Sequence, residues 1–100
     1  MNQYEMVECV DGFMMSVQAS ESSYCTPRIN NAEKYTEVEV GFPNREEPLL
    51  SEWSEDPDNL TGTIYGWVPT QVVTMVIAKH GGMVAGEVPP GVAPLKASSR

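Results

Sequence analysis

From Phe13 to Ala19 apolar and polar positions largely change places at each step. Phe13, Met15, Val17 and Ala19 share one face, and Met14, Ser16 and Gln18 share the other. A period of two predicts a strand with one buried face. The preceding run, from Tyr4 to Val10, is apolar-rich but less regular, with Glu5 and Glu8 on opposite faces. Asp11-Gly12 separates the two runs and supplies the positive φ angles of a two-residue turn, so residues 4–19 read as a β-hairpin. Alternation returns at 35–42, where Thr36, Val38, Val40 and Phe42 form the core face and Tyr35, Glu37 and Glu39 the wet one. Pro43 ends that ladder because it has no amide proton. Residues 63–68 read as another strand, with Gly66 marking a bulge or a close backbone contact.

At Pro69 the period changes. Val72, Val73, Val76, Ile77 and His80 form one stripe of an amphipathic helix over 69–80. Pro69 is tolerated in a first turn, Thr70 can cap, and Gly81-Gly82 provides a left-handed exit. The β-branched valines are indifferent helix formers, so this helix depends on packing. Three segments show no period. Residues 20–34 are long for a connection within a compact domain, which makes them functional or locally packed. Residues 44–61 are acidic and irregular, with Leu49, Leu50 and Trp53 as an apolar island that either docks the excursion or forms an exposed knob. The Pro- and Gly-rich stretch 83–100 reads as an extended or disordered tail. The order of elements predicts one α+β domain over 1–82. In it a small four-stranded, mainly antiparallel sheet (hairpin 4–19, strands 35–42 and 63–68) is packed by the helix 69–80.

A chain of 100 residues is one domain of ordinary size and composition. No window approaches the length of a membrane span, and the first residues lack the basic and apolar regions of a signal peptide. An intracellular protein with no membrane partner is expected. The net charge of −8 is unevenly placed: of 14 acids, six fall between Glu46 and Asp58 with no base among them. Such a field repels phosphates, so direct nucleic-acid binding is disfavoured and a basic protein is the natural partner.

Catalytic signals are sparse. His80 is the sole histidine, and at a helix end a capping role suffices for it. Cys25 beside Arg28 matches no cysteine-enzyme signature. Cys9, Cys25 and His80 lack the paired spacings of a zinc site, and two cysteines are too few for a disulfide framework. Glu55, Asp56 and Asp58 lack the glycine and distal glutamate of a calcium loop. No catalytic residue, metal or cofactor is assigned. Tyr24, Cys25, Pro27 and Arg28 are read as a structural tie: Tyr24 and Cys25 bury beside the sheet, Pro27 stiffens the turn, and Arg28 pairs with a nearby acid. The candidate partner surface comprises Tyr35, Glu37, Glu39, Glu46, Glu47, Glu52, Trp53, Glu55, Asp56 and Asp58. Carboxylates there steer encounter and aromatics anchor it.

The runs MSVQAS (15–20), YCTPR (24–28), YTEVEVGFP (35–43), YGWVP (65–69) and HGG (80–82) cover most of residues 11–82. Together they resemble a family of short uncharacterised proteins encoded by tailed bacteriophages and prophages. That resemblance carries no catalytic residues. It implies expression in the cytoplasm of a bacterial host, and a non-enzymatic accessory protein that binds and modulates or inhibits a host protein, a defence component among the candidates. The alternative it leaves open is a minor virion or assembly protein using residues 83–100 for subunit contacts.

Overall fold

The structure, a computed structural model, describes residues 3–97. Five strands, β1 (Val7–Cys9), β2 (Met14–Gln18), β3 (Glu37–Gly41), β4 (Ile64–Pro69) and β5 (Met83–Ala85), form one sheet in the order β4-β3-β2-β1-β5. Every neighbouring pair is antiparallel. Helix α1 (Thr70–Lys79) follows β4, and a 3-10 helix, Pro48–Trp53, interrupts the β3–β4 connection. The expected α+β class is found, with five strands instead of four. Since all neighbours are antiparallel, β4 and β5 point the same way at opposite edges. Helix α1 is therefore the crossover that carries the chain past β3, β2 and β1.

The core lies between the sheet and this crossover. Val7, Phe13, Met15, Val17, Val38, Val40, Tyr65 and Val68 from the sheet meet Val73, Val76 and Ile77 from α1, and all are fully buried. The predicted faces of β2 and of the helix stripe are thus observed, apart from Val72 and His80, which are half-buried. Thr70 departs from its expected role as cap. It is the first helical residue, its amide donates to the Thr36 carbonyl (3.1 Å), and the helix enters from Pro69 with no side-chain cap.

The β1–β2 turn is one residue longer than predicted. Gly12 donates to the Cys9 carbonyl (3.0 Å) and Cys9 to the Phe13 carbonyl (2.8 Å), so the loop is Val10-Asp11-Gly12. Such loops close with a left-handed residue, and Gly12 supplies it at φ +89°. Asp11 reinforces the turn by accepting from the Phe13 amide at 3.0 Å.

Between β3 and β4 the register slips. Val38 faces Val68 and Val40 faces Tyr65, so β4 carries one residue more than β3. This bulge turns Val68 inward where unbroken alternation would have buried Trp67, and Trp67 is left 42% exposed at φ +52°. Gly66 accompanies the bulge as the sequence predicts: a Cβ there would press on Tyr24.

Tyr35, Thr36 and Phe42 reverse their predicted faces. Tyr35 is fully buried, and Thr36 and Phe42 are exposed. Period two holds only inside the ladder, and Tyr35 precedes β3. Its amide donates to the Pro90 carbonyl (2.9 Å) and its hydroxyl to the Ile29 carbonyl (2.6 Å). Phe42 follows β3 at φ +51°, which swings its side chain off the core. The segment after Gly82 is also corrected. It supplies β5, it buries Met83 and Val92, and Ala97 donates to the Met83 carbonyl (2.9 Å). Residues 83–97 therefore belong to the same body as the sheet, and no boundary falls at residue 82. Residues 98–100 of the expected tail, and residues 1–2, lie outside the described residues.

Candidate functional site

The densest chemistry surrounds His80 at the end of α1. Its Nδ1 lies 2.6 Å from Asp11 Oδ2 and its Nε2 lies 2.7 Å from Glu47 Oε1. Phe13 stacks on the imidazole, centroids 4.1 Å apart and planes 9° from parallel. Three elements converge here: the β1–β2 turn brings Asp11, the start of the 3-10 helix brings Glu47, and the last turn of α1 brings Lys79. Lys79 Nζ donates to Glu47 Oε2 (2.9 Å), which also accepts from the Leu49 amide (2.8 Å). Arg45 pairs with Asp11 Oδ1 (3.1 Å) and donates to the Asp11 carbonyl (2.9 Å).

Electrostatics follow from this geometry. Hydrogen bonding to His80, then to the Phe13 amide, holds the Asp11 carboxyl below the usual carboxylate range. Burial pulls Glu47 upward, and the Leu49 amide, Lys79 and His80 together outweigh it, leaving that carboxyl below its ordinary value as well. Each ring nitrogen of His80 is therefore engaged by a carboxylate of another element. With both nitrogens occupied, the ring offers no open position to a substrate. Two concavities, of about 220 Å³ near Tyr4 and Ser20 and about 540 Å³ beside Met83 and Pro89, are lined by neither Asp11, Glu47 nor His80. The cluster is a latch: it fixes the acidic excursion to the hairpin turn and the helix end.

Sequence reasoning missed this cluster because Glu47 stands 32 positions from Lys79 and 33 from His80. One local signal was available. A carboxylate directly before Pro48 marks a helix start, and Glu47 does cap the 3-10 helix. Glu47, expected on the partner surface, is only 1% exposed and is withdrawn from it; Tyr35 is withdrawn for the same reason.

The remaining surface candidates fall into two groups. Glu46, Glu52, Glu55, Asp56 and Asp58 are exposed on the excursion, and Trp53 and Leu49 are half-buried against the core. Glu37 and Glu39 line the outer side of β3, half-buried under residues 24–26: Glu39 accepts from the Tyr24 amide (2.8 Å) and Glu37 from the Thr26 hydroxyl (2.7 Å). Thr26 also bridges β3 at Glu37, so the chain leaves the sheet after β2 and rejoins it six residues beyond Ser20. Within that excursion Cys25 is buried, and burial pushes its thiol up. Tyr24 stacks on Trp67, centroids 4.9 Å apart, and the Trp67 amide donates to the Tyr24 carbonyl (3.0 Å). Arg28 lies over the Tyr24 ring (5.3 Å) and donates to the Glu21 carbonyl (3.2 Å); among the described residues it pairs with no carboxylate. The Thr26–Pro27 peptide, at the turn, is cis.

Among the described residues no three His, Cys, Asp or Glu side chains are disposed to hold a metal ion, and no helix is long and apolar enough to cross a membrane. Compared with protein-family models, with curated proteins and with solved structures, the chain matches none.

Proposed function

We propose that this chain is a non-enzymatic binding protein that engages a basic surface of a protein partner through its acidic excursion and the adjoining side of β3. One observation carries the reading: the partition of charge. Among the described residues every ion pair uses Asp11 or Glu47, and Glu46, Glu52, Glu55, Asp56 and Asp58 form none. Uncompensated carboxylates on one excursion make a local field that attracts and orients a cationic partner and repels phosphates. The occupied ring nitrogens of His80 favour a structural role over proton transfer, and the buried thiols argue against a cysteine nucleophile.

The resemblance to short phage-encoded proteins makes a bacterial host protein the expected partner. The rival reading, a virion component reaching neighbours through its C-terminal segment, is disfavoured because that segment supplies β5 to the chain's own sheet and Met83 and Val92 to its core. The test is capture of host protein on wild type and on a variant with Glu52→Lys, Glu55→Lys and Asp56→Lys, at low and moderate salt. The expected result is one basic protein retained by the wild type, released as salt rises and lost from the variant while the variant's melting temperature stays near wild type. Equal retention by both would sink the reading.

A further inference from the structure

We infer that Trp67 is the anchor of this surface and that its exposed ring seats an arginine side chain of the basic partner. The inference rests on the acidic-binder reading and assigns that reading its central contact. A bulky residue at positive φ is an outlier that the surrounding structure must hold in place, and such strain gathers at binding sites. Trp67 has φ +52° and keeps 42% of its surface in water. The fold does not require an indole there, because the bulge directs Val68 to the core. A glycine would meet the same backbone conformation without strain.

The surroundings suit a guanidinium. Tyr24 stacks on the indole, centroids 4.9 Å apart and planes 17° from parallel, and so backs one of its faces. The chain already stacks a guanidinium on the Tyr24 member of this pair, with Arg28 5.3 Å from its ring centroid. Carboxylates flank it: the position a Cβ would take on Gly66 is 3.4 Å from Glu55 Oε2, and Glu39 lies under the Tyr24 amide. Glu37, Glu39 and Glu55 against Arg28 leave the neighbourhood negative. Arginine couples a planar face that stacks on indole with donors that reach carboxylates, so it fits better than lysine. Phe42 shares the strained conformation, at φ +51°, but its ring stacks on no other aromatic among the described residues.

The experiment is a titration with a short peptide of alternating arginine and glycine, and with its citrulline counterpart, at low salt. The indole N–H resonance of Trp67 is followed, distinguished from Trp53 through a Trp53→Phe variant. The expected result is that the arginine peptide alone shifts Trp67, and that Trp67→Gly weakens binding about tenfold. The resonance is read on the wild-type fold, so the outcome does not depend on how the glycine variant behaves. Salt-sensitive binding that leaves the Trp67 resonance unmoved and survives Trp67→Gly would overturn the anchor while the acidic reading stands. No binding of the arginine peptide would overturn both.

Discussion

At Glu47 a carboxylate with 1% of its surface exposed takes hydrogen bonds from the Leu49 amide, from Lys79 and from His80. Glu47→Gln replaces one accepting oxygen with an NH2 group that faces donors, so a buried group is left unsatisfied. The expected cost at neutral pH is about 1–3 kcal/mol. The pH dependence has a definite sign. Asp11 and Glu47 both titrate below their ordinary values in the folded chain, so on acidification the unfolded chain binds protons first. Their contribution is full above the ordinary carboxylate range, near pH 4, and is lost as pH falls through the folded values. The gap between wild type and Glu47→Gln should therefore narrow on acidification below about pH 4. Urea titrations at a series of pH values read this directly, and a gap that stays constant would mean that the Glu47 charge does not support the fold.

Among elements, the segment after α1 is where packing most overrides pattern. Gly91 has φ +109°, and a Cβ there would run into the Tyr35 carbonyl, so Gly91→Ala combines backbone strain with a clash. It should cost about 2–4 kcal/mol. Gly12→Ala makes a matched control: φ is +89°, but open space surrounds the site, so strain alone applies and about 1 kcal/mol is expected. Denaturant midpoints of the two variants decide whether residues 90–92 are docked as firmly as the hairpin; equal losses would argue against it. The same contrast explains what was legible in the sequence. Met15 and Val17, Val38 and Val40, and Val73, Val76 and Ile77 were readable because each lies inside a regular element whose period dictates its face. Tyr35 was not, because its burial comes from the loop carbonyl of Ile29 and from Pro90, partners that no local period encodes. β5 is only three residues long and precedes a proline-rich stretch, so it leaves no pattern to count. The bulge was signalled by Gly66, yet which neighbour it would expel depended on the register of β3 against β4. For the site, the exposed acids of 46–58 were visible as composition, whereas withdrawing Glu47 from them required its distant partners.

For the molecule as a whole, charge is divided between a latch that is internally balanced and a surface that is not. Arg45 and Lys79 match the charges of Asp11 and Glu47 within hydrogen-bond reach, His80 bridges the two carboxylates, and Glu47 and His80 are shielded from water. The exposed carboxylates of the excursion repel one another through solvent. Added salt acts unequally on these two sets. Raising ionic strength from about 0.01 to about 0.1 M shortens the screening length from ~30 to ~10 Å, which quenches the surface repulsion and touches partly buried pairs much less. With a net charge of −8, relief of repulsion should win, and the melting temperature should rise over this range. Binding to a basic partner should weaken over the same range, because the same screening removes the attraction. Stability and affinity thus answer salt with opposite signs, and both can be read on one sample series by thermal melts and arginine-peptide titration. A melting temperature that falls with salt would mean that ion-pair attraction outweighs the surface repulsion, and the excursion's carboxylates would then have to be compensated within the chain, with no surplus charge to offer a partner.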